Sequence, residues 1–540
     1  MPSWNVSRFL PGPSARRRGL RVSGLALLVL PSSALAAVHT VRPPESISAV
    51  LARAQPGDTV RLAPGEYRER VVIDVPVRLV GDAAARILGG YEGTVVHVTA
   101  PGTVLEGLEI VESGPDLTQD MAGVLVEADG VTVRGCSIRE SLHGIYVKGG
   151  NDTRIVGNRV EGRLDLIESD RGNGIHLWNS RRNRVVGNEI FHARDGIYFS
   201  FANETEIERN HIHHVRYGLH YMYSNDNTFA DNLFEHNVAG AALMYSENIT
   251  FERNTFARCR GFRAYGILLQ SMNDVISRQN LILDNSRGIF MNNTDGSVFE
   301  RNDVVDNDLA IQLNGGCDDN RFAGNNFIGN LTELLLDVSD LETQWADEEG
   351  GNYWSHYRGY DLDRDGIGDV PFSIQNVFQV LESDVPEVRF YLLSPAAELL
   401  KAAEDALPIL RLGDAQDPAP RMQPLANEGV PWERAQRTGL EPSPLWAGVY
   451  LAGTFLPLAL LAALGRPRRP VIPRSSVPGR ATRNPPSTVD PSPGASAERA
   501  QHDKEKEIPH ASALQRARDD ATAPSVHRIP RATASKEPEE

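Results

Sequence analysis

A 22-residue period constrains this chain more than any other feature: Gly174, Gly196, Gly218 and Gly240 each open an apolar-alternating run, and Asn188, Asn210, Asn232 and Asn254 follow 14 residues after their glycines. After one four-residue insertion Gly266, Gly288 and Ala310 resume the register, with Asn280 and Asn302 at the same offset. The pattern reaches back through Gly144 and Asn158 and, more loosely, Gly123. The residues one and three after each glycine are apolar, as in Ile175/Leu177, Ile197/Phe199, Leu219/Tyr221, Ile267/Leu269 and Ile289/Met291. Alternation of this kind is a strand with one buried face. A second apolar point falls two residues after each Asn, at Val160, Ile190, Ile212, Phe234, Phe256, Ile282 and Val304. Strands this short cannot bury a face alone, so successive repeats must stack into a solenoid. The expected fold is all-β, a parallel β-helix of about a dozen 22-residue coils over residues 59–345. The recurring Asn stacks at one corner, where its amide bonds the coils above and below and satisfies turn backbone.

The ends read as caps. Residues 45–54 (ESISAVLARA) form a short amphipathic helix, placing an N-terminal cap over residues 37–58. Ser394 and Pro395 are an N-cap and first-turn pair for the helix SPAAELLKAAEDALPIL, within a C-terminal cap over residues 346–411. Arg16, Arg17, Arg18 and Arg21, the apolar run from Gly24 to Leu30 and the ALA string ending at Ala36 make residues 1–36 a signal peptide. The arginine cluster leaves both Sec and twin-arginine export open. Residues 412–443 read as a linker, and 466–540 as a disordered tail. Between them the 21 uncharged residues 445–465, followed by Arg466, Arg468 and Arg469, read as a transmembrane helix with its far end in the cytoplasm. The body is then periplasmic or otherwise extracytoplasmic, tethered to the membrane by this helix.

A net charge of −16 with no basic stripe argues against a nucleic-acid partner. Cys136, Cys259 and Cys317 are too few for a disulfide framework and read as packing thiols.

Chemistry concentrates on one strand face. Two and four residues after each glycine the side chain points outward, which places His220 and Met222 on one coil and Met244 on the next. Two thioethers and an imidazole suit Cu(I), a soft ion. The competing reading is an apolar stripe that meets a partner protein, with Tyr146, His176, Trp178 and Tyr198 along it. His192, His214 and His236 fall 18 residues after their glycines, either as a metal-binding column or as a turn ladder that replaces Asn. Asp361, Asp363, Asp365 and Asp369 lie in a D-x-D-x-D-G-x-x-D array resembling the first part of a calcium loop, with Phe372 where the bidentate Glu would fall. It reads as a structural cation site. Glu161, Asp165, Glu168 and Asp170 supply the rival enzyme reading, an acid/base pair for a polysaccharide lyase, epimerase or hydrolase. The chain lacks a P-loop, so energy from ATP must come from another protein.

The strings GNGIHLWNS, GLHYMYSND, AALMYSENI, YGILLQSMND and GNYWSHYRGYDLDRDGIGD, with the helix after them, resemble the NosD family over roughly residues 40–415. These are β-helical accessory proteins of nitrous oxide reductase maturation. The resemblance implies a right-handed, pectin-lyase-like solenoid without catalytic turnover. It also implies partners: the ATPase and permease of an ABC transporter, a copper chaperone lipoprotein and the apo-reductase, whose copper centres are assembled. Because His220, Met222 and Met244 fall inside the matching strings, the resemblance favours copper handling on that face. The linker, span and tail extend beyond the family pattern.

Overall fold

Each coil pairs with the next in parallel at the spacing of the repeat: Ile197 lies opposite Leu219, Leu219 opposite Ala241, Ala241 opposite Ile267 and Ile267 opposite Ile289. In the computed structural model, residues 36–337, 342–375, 388, 391, 394–406 and 415–433 are described. Their strands form a 23-stranded and a 13-stranded parallel sheet, the second with one strand per coil. A typical coil contributes three strands, as in Tyr217–Met222, Asn227–Ala230 and Leu233–Glu235. The inward positions are buried columns, among them Phe229 over Phe251 at 5.0 Å between ring centroids and Phe234 over Phe256 at 5.1 Å.

The glycine is required by close stacking rather than by backbone angle. A Cβ on Gly240 would fall 2.6 Å from the Gly266 carbonyl oxygen in the next coil. The asparagine ladder is continuous. Asn232 Oδ1 accepts from the backbone N–H and the side-chain amide of Asn210, both at 3.0 Å, while Asn232 Nδ2 donates to Ile207 O at 2.9 Å and to Asn254 Oδ1 at 2.9 Å. The same bonding links Asn158, Asn188, Asn254, Asn280, Asn302, Asn325 and Asn352. A buried carboxylate terminates the column: Asp417 accepts from the Asn352 backbone N–H at 2.7 Å and from Trp354 Nε1 at 2.9 Å.

The ends differ from the sequence boundaries. Val38–Val41 already pairs with Thr59–Leu62, so the first rung begins inside the stretch read as cap. The capping helix Ile47–Leu51 follows, with Ser46 Oγ accepting from the Ala49 N–H. At the other end Tyr353–Trp354 still pairs with Asn326–Phe327, beyond residue 345. The C-terminal helix runs Pro395–Ala406, and Ser394 Oγ accepts from the Ala397 N–H, as an N-cap does.

Residues 415–433 fall wholly within the stretch read as linker, yet they lie against the coils. Leu425 exchanges backbone bonds with the Asn326 amide at 2.9 Å each, and Trp432 Nε1 donates to Asp303 at 2.5 Å. Val430 and Trp432 also cover an apolar belt of Leu233, Ala257, Leu281, Leu283 and Val305. Low hydrophobicity misled the reading because this segment docks largely through polar bonds to Asp303 and Asn326 on the 13-stranded sheet. The signal peptide, the span at 445–465 and the tail lie outside the described residues, apart from Ala36. Among the described residues no helix is long and apolar enough to cross a membrane.

Candidate functional site

Strand alternation sets the face. On Tyr217–Met222, Leu219 and Tyr221 are buried inward, while His220 and Met222 are half-buried on the other side. Met222 pairs with Met244 on the next rung, and His220 pairs with Tyr198 on one side and Ala242 on the other. The two thioethers are therefore neighbours across one rung spacing of ~4.8 Å.

His220 has a partner that sequence reasoning missed. Asp195, fully buried, accepts from His220 Nδ1 at 2.8 Å and from Arg216 at 2.9 and 2.7 Å. Burial pushes this carboxyl up, but the bonds from His220 and Arg216 outweigh it and hold the group at about 2. An ionised carboxylate on Nδ1 fixes the imidazole tautomer with its proton on that nitrogen, leaving Nε2 as a lone-pair donor. Asp195 sits directly before the repeat glycine Gly196, where neighbouring repeats carry Asn173 and Tyr217.

The stripe expected to face a partner is only partly available. Tyr146, expected on that stripe, is only 3% exposed, its ring stacked on His176 at 4.3 Å between centroids. His176 and Tyr198 are half-buried, and Tyr198 stands between His176 and His220 at 4.7 and 4.8 Å. Trp178 is exposed. The correction has a simple cause: bulky rings at the same offset of adjacent rungs cover one another.

A second aromatic column went unrecognised. Phe201, Tyr223 and Tyr245 stack at 5.4 and 5.3 Å, are 54%, 47% and 46% exposed, and follow Ser200, Met222 and Met244 directly. All three have positive φ, at 54°, 51° and 56°. The corresponding turn positions in other coils hold Asn179, Ser271 and Asn293, small polar residues suited to that backbone. Three aromatics there accept strain for an exposed apolar edge beside the methionines.

His192, His214 and His236 stack at 6.0 and 5.2 Å, and each has positive φ, which makes them a ladder of turn residues. His192 Nδ1 lies 3.5 Å from Glu161 Oε1. Of the other insertion carboxylates, Asp165 is ion-paired to Arg163 at 2.5 Å, and Glu168 and Asp170 lie in a single 3-10 turn. A surface cleft of about 530 Å³ beside them is lined by Tyr91, Arg139, Glu140, Glu161, Arg163 and Asp165. Its charges are spent on mutual pairs, including Tyr91 to Glu140 and Arg139 to Glu140, both at 2.5 Å.

In the acidic loop, Asp361, Asp363 and Asp365 bring one carboxylate oxygen each within 4.8 Å of one another. Asp369 instead accepts from the Leu362 N–H at 2.6 Å, and Phe372 pairs with Asp417 as a strand residue. The three cysteines are buried and free, and burial pushes the Cys136 thiol up to about 11 and Cys259 to about 12.

Comparison with known proteins fixes the family. A family model described as "Periplasmic copper-binding protein (NosD)" matches residues 156–359, and one described as "Protein of unknown function (DUF1565)" matches residues 38–232. A relative from Pseudomonas aeruginosa, "Probable ABC transporter binding protein NosD", is 38% identical over 68% of this chain and 89% of its own length. The chain belongs to the NosD family. A second NosD relative of the same description, from Stutzerimonas stutzeri, is 33% identical over 77% of this chain and 97% of its own. Among solved structures, pectate lyase Pel9A is similar at 15% identity and a TM-score of 0.35, over 47% of this chain and 76% of that one. The periplasmic alginate epimerase AlgG is similar at 12% identity and a TM-score of 0.39, over 57% and 82%.

The same face carries a pH signature. His143, buried beneath His176 and Tyr146, accepts from the Asn173 N–H at 3.0 Å, and burial, with the Arg194 charge, pulls its imidazole down to about 4. Burial lowers His176 well below its usual range as well. Both remain neutral in the fold, whereas the unfolded chain takes up protons near 6.5. The contribution of His143, about 3 kcal/mol, is thus complete above about pH 6.5 and lost as pH falls from there towards about 4, and that of His176 is lost on the same acid side. Urea midpoints should fall across that window, and a His143→Asn variant should give a flatter profile. Asp195, depressed rather than raised, loses its contribution only below its ordinary 3.8, towards about 2. A wild-type midpoint that is flat between pH 6.5 and 4 would contradict this account.

Proposed function

We propose that this chain is an extracytoplasmic accessory protein for nitrous oxide reductase maturation, which takes up Cu(I) on the His220, Met222 and Met244 face and passes it on without catalytic turnover. The adjacency of Met222 and Met244 on neighbouring rungs, beside an imidazole oriented by Asp195, carries the reading. Soft thioethers select Cu(I), and a half-buried open face suits transfer better than storage. The family description as periplasmic and copper-binding supports the compartment and the metal, and the relatives' names support association with an ABC transporter. A copper chaperone lipoprotein delivers the ion, the transporter's ATPase and permease supply the energy, and the apo-reductase receives the copper. Trp178 and the column Phe201, Tyr223 and Tyr245 border the face as the apolar rim a partner would cover. The span at 445–465 tethers the protein to the membrane.

Deleting the gene should leave the reductase present but copper-deficient, read as copper per polypeptide in the purified reductase. A fully metallated reductase from the deletion strain would sink the proposal. Cleavage of a uronate polymer by the purified chain, lost on Glu168→Gln with Asp170→Asn, would support the polysaccharide-enzyme alternative.

The acidic loop is a proposed structural Ca²⁺ site built on Asp361, Asp363 and Asp365, with Asp369 closing the loop. Millimolar Ca²⁺ should raise the melting temperature by a few degrees, as ~2 kcal/mol of linkage would. Asp363→Asn with Asp365→Asn should abolish the shift, and an unchanged melting temperature in wild type would exclude the site.

A further inference from the structure

The 13-stranded sheet carries a second cluster of ligating side chains, away from the methionines in register and in sheet. Its strand His211–His213 turns Ile212 into the core and both histidines outward. Register places Glu189 beside His211, and Phe191 and Glu235 on either side of His213. One ligand atom each from Glu189, His211 and His213 lie within 4.8 Å of one another, with His213 Nε2 at 3.6 Å from Glu189 Oε1. Arg159 holds the other carboxylate oxygen of Glu189, Oε2, which leaves Oε1 for an ion, and the remaining neighbours contact the rings. Glu235 accepts from His211 Nε2 at 2.8 Å, His214 Nδ1 lies 2.8 Å from His213 Nδ1, and Phe191 stacks flat on the His213 ring at 5.1 Å.

We infer that Glu189, His211 and His213 form a binding site for a divalent transition ion of N/O preference, Zn(II) or Cu(II), with Glu235 and His214 positioning the imidazoles. Two imidazoles and one carboxylate are a donor set for such ions and a poor one for Cu(I). The bond from a second group to each ring is the arrangement that orients metal-bound histidines. The apolar faces of Phe191 and Leu233, both largely buried, flank the cluster and limit water around it. The docked segment ending at Trp432 covers the belt that continues from Leu233. The site uses no residue of the methionine face and stands whether or not that face binds Cu(I).

The test is chelator competition on the purified full chain, without a polyhistidine tag, using Zn(II) alone and Cu(II) alone. Wild type should bind one equivalent of either, Cu(II) more tightly as the general divalent order requires. His211→Gln with His213→Gln should weaken both by roughly a hundredfold or more, and Glu235→Gln by roughly tenfold. Met222→Leu with Met244→Leu should leave both unchanged. Cu(II) electron paramagnetic resonance should show nitrogen hyperfine coupling that the double histidine variant loses. Glu189→Gln, at a half-exposed position, gives the same readout if the histidine variant does not fold. Failure of wild type to compete, wild-type affinity retained in the histidine and Glu189 variants, or loss of binding only when His192 and His236 are replaced would overturn the assignment.

Discussion

Replacing Asn232 with leucine is expected to destabilise the protein by roughly 4 kcal/mol or more, among the largest effects available to a single substitution here. The side chains are similar in size, so packing is nearly conserved. Hydrogen bonding is not. The Asn210 backbone N–H, the Asn210 amide, the Ile207 carbonyl and the Asn254 amide oxygen all lose a partner at once, in a column where each Asn is fully or almost fully buried. Each orphaned buried group costs ~1–3 kcal/mol, and partial relaxation recovers some of that. Because coils contact only their neighbours, the loss should be felt locally as well as globally. Amide exchange should accelerate first in the coils around residues 210 to 254, before the caps respond. A urea midpoint within error of wild type would mean that water enters the corner and the ladder is not the element that holds the coils in register. Asn352, at the ladder's end, should be as sensitive to the same change, because its Oδ1 accepts from both amides of Asn325 and its Nδ2 donates to the Phe322 and Trp345 carbonyls.

The ladder was legible because a period repeats the same physical demand in every coil. Gly240 and its equivalents mark close backbone approach, Asn232 and its equivalents mark a buried corner, and both recur at fixed offsets. Features made by one coil alone were harder to see. Asp195 occupies a repeat position held elsewhere by Asn173 and Tyr217, and nothing local shows that it lies beneath His220 on the following rung. Glu189, His211 and His213 are not visible along a single offset such as that of His192, His214 and His236, because the cluster combines two positions of one strand with one of its neighbour. Alternation about Ile212 was the available signal. Phe201, Tyr223 and Tyr245 were findable too, since they recur five residues after Gly196, Gly218 and Gly240. The docking of residues 415–433 was not, because its bonds join residues about a hundred positions apart, such as Asn326 and Leu425.

Met222→Leu with Met244→Leu is expected to weaken Cu(I) binding by roughly a hundredfold or more while leaving the fold intact. Leucine keeps the volume and apolarity of each side chain within ~1.5 kcal/mol of stability, so lost binding reports lost sulfur rather than lost packing. His220 remains on its rung, still held by Asp195, and a single imidazole cannot retain a soft ion against a competing thioether or thiolate chelator. Asp195→Asn separates positioning from ligation. It removes the ionised acceptor on Nδ1 and frees the tautomer, so affinity should fall by roughly tenfold with both thioethers still in place. Reductase matured in cells carrying the double methionine variant should be copper-poor, as in the deletion strain. A double variant that folds, binds Cu(I) with wild-type affinity and matures a fully metallated reductase would make the methionines part of a docking surface continuous with Tyr223 and Tyr245, and would remove copper ligation from this face.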